Sequence, residues 1–84
     1  MKMYRGIYEF EIKAEKCNKI EEMLCEKLKA KDITLRRTSQ GLYHLSFIVD
    51  NNRKVFAVKK VIEYYNGNIK SQWIFKVAPN DYTN

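Results

Sequence analysis

The feature of this sequence that most constrains its fold is the order of its hydrophobic periodicities. A period of two indicates a half-buried strand, and a period near 3.6 indicates an amphipathic helix. Strand-type alternation covers residues 7–13, 33–38, 42–49 and 69–77, and helix-type spacing covers residues 15–30 and 55–65. The order strand, helix, strand, strand, helix, strand predicts a ferredoxin-like βαββαβ sandwich, an α+β fold with a four-stranded antiparallel sheet and two helices on one face.

Chain length and turn residues set the domain organisation. With 84 residues the chain can bury one core and not two. Asn66-Gly67 is a typical helix end, and Pro79 ends the last strand. We therefore expect a single ferredoxin-like domain over residues 1–79 and a flexible polar tail over residues 80–84.

The apolar phase of each element predicts the core. Trp73 and Phe75 alternate in step with Ile69, which places them on the helix-facing side of the last strand. Two cysteines, Cys17 and Cys25, are expected to be core-facing thiols too far apart for a disulfide. Eight residues are predicted to be buried: Phe10, Leu24, Tyr43, Phe47, Val58, Ile62, Trp73 and Phe75.

Charge is the strongest functional signal in the sequence. The net charge is +6, and residues 51–66 supply +3 of it, from four basic residues against Glu63. Nucleic acid is the commonest anionic partner, because Lys and Arg release counterions from phosphates. The alternative is a solvated basic helix that binds nothing. The predicted nucleic-acid or partner-binding residues are Arg36, Arg37, Arg53, Lys54, Lys59, Lys60, Lys70 and Lys76.

The open side of the predicted sheet lacks the signature of an RNA-recognition motif. That motif stacks bases on aromatic side chains of two central strands. Leu42 and His44 hold the corresponding positions on the third strand here, and Glu9 and Glu11 on the first strand would repel phosphate. Any nucleic-acid contact is therefore expected on the second helix and the basic strands.

The sequence predicts no catalytic, metal or cofactor site. His44 is the sole histidine, and only Glu9 or Glu11 is expected to approach it. Zinc usually takes three or four nitrogen or sulfur ligands, and no such set is present. We therefore expect a non-enzymatic protein without a metal or cofactor.

Two resemblances bear on the alternatives. Ser39-Gln40-Gly41-Leu42-Tyr43-His44 resembles the Ser-x-Gly-x-Tyr turn of the YbeD-like family, small ferredoxin-like proteins related in shape to ACT regulatory domains. This six-residue resemblance implies no function. The size and the Lys-, Asn-, Ile- and Tyr-rich composition resemble accessory proteins of AT-rich phages, some of which inhibit toxins or defence nucleases.

The sequence is therefore compatible with three functions. The leading hypothesis is a small basic module that binds RNA or another nucleic acid, within a protein complex or alone. The second is an inhibitor or antitoxin-like protein that binds a nuclease or toxin, and the third is an ACT-like domain that dimerises through sheet edges around a small ligand. Without an apolar run near 20 residues we expect no membrane association and a cytoplasmic location. The oligomeric state is left open, with a homodimer among the alternatives.

Overall fold

The computed structural model describes residues 2–78 and contains all six predicted elements. The strands pair in the antiparallel order β2-β3-β1-β4, which confirms the predicted ferredoxin-like arrangement. The predicted tail over residues 80–84 lies outside the described residues. The elements are β1 (Met3–Glu11), a 3₁₀ turn (Ala14–Lys16), α1 (Cys17–Glu26), β2 (Lys31–Arg37), β3 (Tyr43–Val49), α2 (Asn52–Tyr64) and β4 (Asn68–Val77).

The core lies between the helices and one face of the sheet. Five of the predicted core residues are fully buried: Phe10, Leu24, Phe47, Val58 and Ile62. Tyr43 is half-buried at the margin of the cluster. Over the part of the chain that the structure describes, neither helix is long and apolar enough to cross a membrane.

The prediction that Trp73 and Phe75 are core residues is wrong. The pairing of β1 with β4 shifts register between Glu9 and Phe10, so that Glu9 pairs with Ser71 while Phe10 pairs with Ile69. This bulge adds one residue to β4 and reverses the direction of every side chain after it. Trp73 and Phe75 consequently face away from the helices and remain 48% and 49% exposed.

The cysteines are not core residues either. The buried positions of α1 are Ile20 and Leu24. Cys25 lies on the exposed side, and Cys17 is half-buried, where burial raises the pKa of its thiol. Both cysteines are free thiols.

Tyr8 connects the sheet to α2 through its hydroxyl group. The side chain is fully buried, and its Oη donates a 2.7 Å hydrogen bond to the carbonyl oxygen of Val55. Burial, assisted by the negative charge of Glu63, raises the pKa of Tyr8 to about 12 from its ordinary value of 10.0. The folded state therefore favours the protonated phenol.

This shift predicts a loss of stability in strong alkali. Because the pKa of Tyr8 is higher in the folded state than in the unfolded state, its stabilising contribution is complete below pH 10 and is lost as the pH rises towards 12. Urea unfolding of the parent and of Tyr8→Phe across this range measures the effect. The free-energy difference between the two proteins should shrink with rising pH, and a constant difference would contradict the shift.

Candidate nucleic-acid interface

Helix α2 begins at a well-formed cap and turns its apolar side to the sheet. The side chain of Asn51 accepts a 2.8 Å hydrogen bond from the backbone N–H of Arg53, which satisfies one free donor of the first turn. Val55, Val58 and Ile62, spaced three and four residues apart, are buried. This anchoring leaves the opposite side of the helix free for contact with a partner.

The opposite side of α2 carries alternating basic and aromatic residues. We call Arg53, Phe56, Lys60 and Tyr64 the α2 stripe; all four are exposed, and their spacing of three or four residues aligns them along one side of the helix. Phe56 is 49% exposed and Tyr64 is 78% exposed, so both rings are available for contact. Lys60 lies one helical turn from each ring.

The cations of α2 differ in how far they are neutralised. Lys54 Nζ lies 3.0 Å from Asp50 Oδ1, and its hydrogen bond lowers the pKa of that carboxyl group. Arg53, Lys59 and Lys60 have no carboxylate within ion-pair distance among residues 2–78. Their charges therefore remain available to an anion.

An apolar groove of about 390 Å³ adjoins the stripe at the C-terminal end of α2. It lies between the two helices, with Met23 of α1 on one side and Val61, Tyr64 and Tyr65 of α2 on the other, and Lys60 at its edge. The two tyrosine rings meet edge to face at 5.0 Å between centroids. A flat aromatic group inserted here would meet apolar walls beside a positive charge.

The remaining predicted site residues do not form one surface with α2. Arg36 and Arg37 lie on β2 and Lys70 and Lys76 on β4, which are opposite edges of the sheet. Arg37 lies over the Tyr43 ring at 5.8 Å from the centroid.

The β4 pair lies closer to the helix, because α2 packs over β1 and β4. Lys76 shares the helix-facing side of β4 with Ile74, whereas Lys70 lies at the bulge and pairs with Glu11 at 3.3 Å. Lys76 is therefore the strand cation best placed to extend the α2 surface.

His44 and Glu9 form a polar contact on the face of the sheet that points away from the helices. His44 Nδ1 lies 3.4 Å from Glu9 Oε2, and Ser71 Oγ donates a 3.2 Å hydrogen bond to the other oxygen of Glu9. Within the described residues no three His, Cys, Asp or Glu side chains are grouped for metal binding. The contact is a cross-strand pair between β1 and β3.

Sequence reasoning missed Phe56 and Tyr64. The helical periodicity identifies the inward apolar positions of α2, and these two aromatics lie on the other side of the helix. A usable signal was present, because Phe56, Lys60 and Tyr64 are spaced at intervals of four residues.

Comparison with known proteins adds no function. No protein-family model matches the chain, and no curated protein is significantly similar to it. A similar solved structure is a protein from Deinococcus radiodurans that is provisionally described as an antibiotic biosynthesis monooxygenase, with 12% identity, coverage of 100% of this chain and 97% of that chain, and a TM-score of 0.42. A similarity at this level says nothing about the activity of this chain.

Proposed function

We propose that this protein is a small non-enzymatic module that binds RNA or another nucleic acid through the α2 stripe. The observation that supports this proposal is that exposed aromatic rings alternate along one side of α2 with cations that have no ion pair among residues 2–78. Cations contact phosphates, and aromatic rings stack on bases. Single-stranded RNA presents both groups together, so it is the form that fits this stripe.

Reversing two charges of the stripe tests the proposal. Arg53→Glu/Lys60→Glu should lower RNA affinity by at least about tenfold at 50 mM salt, because two phosphate contacts are lost. The slope of log affinity against log salt should fall by about 1.4, at about 0.7 per single-strand contact. The fold should survive, because both positions are exposed and Glu is favourable in the first turn of a helix. Fluorescence anisotropy with a labelled heterogeneous RNA measures both quantities.

A matched control separates a local site from overall charge. Lys13→Glu/Lys19→Glu makes the same change in net charge at two exposed positions at the 3₁₀ turn and α1. It should retain most of the affinity. Equal losses in both double variants, or no RNA binding by the parent at low salt, would reject the α2 stripe as a nucleic-acid site.

The second candidate is an inhibitor that binds a nuclease or toxin with the same helix. The groove beside Met23 and Tyr65 favours it, because an apolar pocket next to exposed aromatics suits a protein side chain as an anchor. If the protein is such an inhibitor, the parent should bind no RNA. Phe56→Ala/Tyr64→Ala should then abolish its inhibition of the target enzyme.

A further inference from the structure

The groove between the two helices has walls that are fixed by the core. Val61 and Tyr65 are partly buried against the core, and Ile62, which follows Val61 on α2, is fully buried. Met23 lines the groove from α1. Tyr64 meets Tyr65 edge to face at an interplanar angle of 86° and is largely exposed, so its ring is accessible to a flat group that enters the groove.

The size and lining of the groove suit one nucleotide base with its sugar. The volume of about 390 Å³ is near the lower end of the range for small-molecule sites, about 300–1,000 Å³. Apart from the Lys60 ammonium group and two tyrosine hydroxyls, the lining side chains carry no hydrogen-bonding groups of nitrogen or oxygen. Such a site takes a planar ring by stacking and does not distinguish one base from another, because every base has a π-face.

Charge decides which flat group fits the groove. Lys60 lies at its edge and has no carboxylate within ion-pair distance among residues 2–78. Glu63, the acidic residue of α2, precedes Tyr65 by two residues and therefore lies about 200° around the helix from it. On α1, Glu26 and Lys27 follow the groove-lining methionine by one turn and together add no net charge. The rim is therefore positive and complements an aromatic group that carries a phosphate.

We propose that the groove binds one unstacked base of the single strand that lies along the α2 stripe, while Lys60 contacts the adjoining phosphate. This inference rests on the proposed function, because the stripe brings the strand to the groove: Lys60 and Tyr64 belong to both. A free mononucleotide meets one cation of the groove lining and gains none of the other contacts of the stripe. The polymer is therefore the tighter ligand.

Insertion of a base gives the site a preference for unpaired nucleotides. A base in a duplex has to leave its partner and its stack before it reaches the groove, whereas a base in a single strand leaves a stack alone. We therefore expect single strands to bind more tightly than duplexes of the same sequence. Because stacking is tolerant of base identity, strands of different sequence should bind with similar affinity.

The methyl group of Met23 reports the entry of a base directly. In protein labelled with [¹³C-methyl]methionine, Met23→Leu identifies this signal among those of the three methionines. A single-stranded oligoribonucleotide should shift the signal, because the ring current of an adjacent base acts on it. A duplex of the same sequence and an abasic strand of the same length should shift it much less. RNA binding that leaves the Met23 signal in place would overturn the groove site and leave the α2 stripe intact. No RNA binding by the parent would reject both, and leave the groove to the protein side chain of the second candidate function.

Filling the groove provides a test by affinity. Met23→Trp places a ring in the groove and should lower the affinity for single-stranded RNA by about 5- to 150-fold, the range for the loss of one stacked base. The salt slope should stay unchanged, because no phosphate contact is lost. Cys25→Trp adds the same ring at an exposed position two residues further along α1 and should bind like the parent. Equal affinities of the two tryptophan variants, or tighter binding of AMP than of the oligonucleotide, would reject the proposal. The methyl signal of the parent decides the question even if Met23→Trp fails to fold.

Discussion

Replacing Phe47 by Ala is expected to lower the free energy of unfolding by about 3–5 kcal/mol, the range for deleting a buried aromatic ring. Phe47 is fully buried and stacks on Tyr8 with 6.1 Å between ring centroids. Replacing Phe75 by Ala should lower it by less than about 1 kcal/mol, because half of that side chain is already in water. Urea unfolding of both variants measures the difference.

The comparison tests the register of β4, because the bulge decides which face of the sheet Phe75 lies on. Similar losses for Phe47→Ala and Phe75→Ala would mean that Phe75 is buried against the helices and that the bulge is absent.

Replacing Gly6 by Ala should lower the free energy of unfolding by about 1–3 kcal/mol, because it overfills a packed region. Gly6 is buried and pairs with Phe47 on β3, and a Cβ atom there would overlap the Cζ atom of the Phe47 ring. The ring is enclosed by the core and cannot swing away. Thermal or urea unfolding of the folded variant provides the measurement.

A double-mutant cycle isolates the cause of this loss. In a Phe47→Leu background the ring is gone, and Gly6→Ala should be less destabilising there than in the parent by at least about 1 kcal/mol. An equal loss in the two backgrounds would show that the clash with the ring is not responsible.

The fold could be predicted because its elements are periodic. The face of the sheet on which the side chains of β4 lie could not. Ile69 and Ile74 both face the helices although they are five residues apart. Strict alternation forbids this, and only the bulge at Lys70 and Ser71 permits it. Trp73 and Phe75 carry more apolar surface than Ile74, so burial alone favours the wrong phase. The bulge depends on how β4 pairs with β1, which is information from the distant end of the sequence.

The positive charge of the site could be predicted from the sequence, but the positions of its residues relative to one another could not. The basic character of α2 follows from local composition, and Arg53 and Lys60 are exposed there. The distribution of the other cations follows from strand order. Arg36 and Lys70 are both strand residues in the sequence, yet three strand spacings separate their edges. Long-range pairing decides that order, and no local pattern encodes it.

The central position of β1 has a consequence for how the protein is made. Met3 pairs with Val77, so one edge of β1 has no partner until β4, the last strand of this sheet along the chain, has emerged from the ribosome. Until then, β3 is the one native partner that β1 can pair with, and the other edge of β1 is an unprotected template for pairing with strands of other chains. Nascent chains on one polysome are held close together with this edge exposed. Misassembly is therefore most probable during translation, and the emergence of β4 ends that interval.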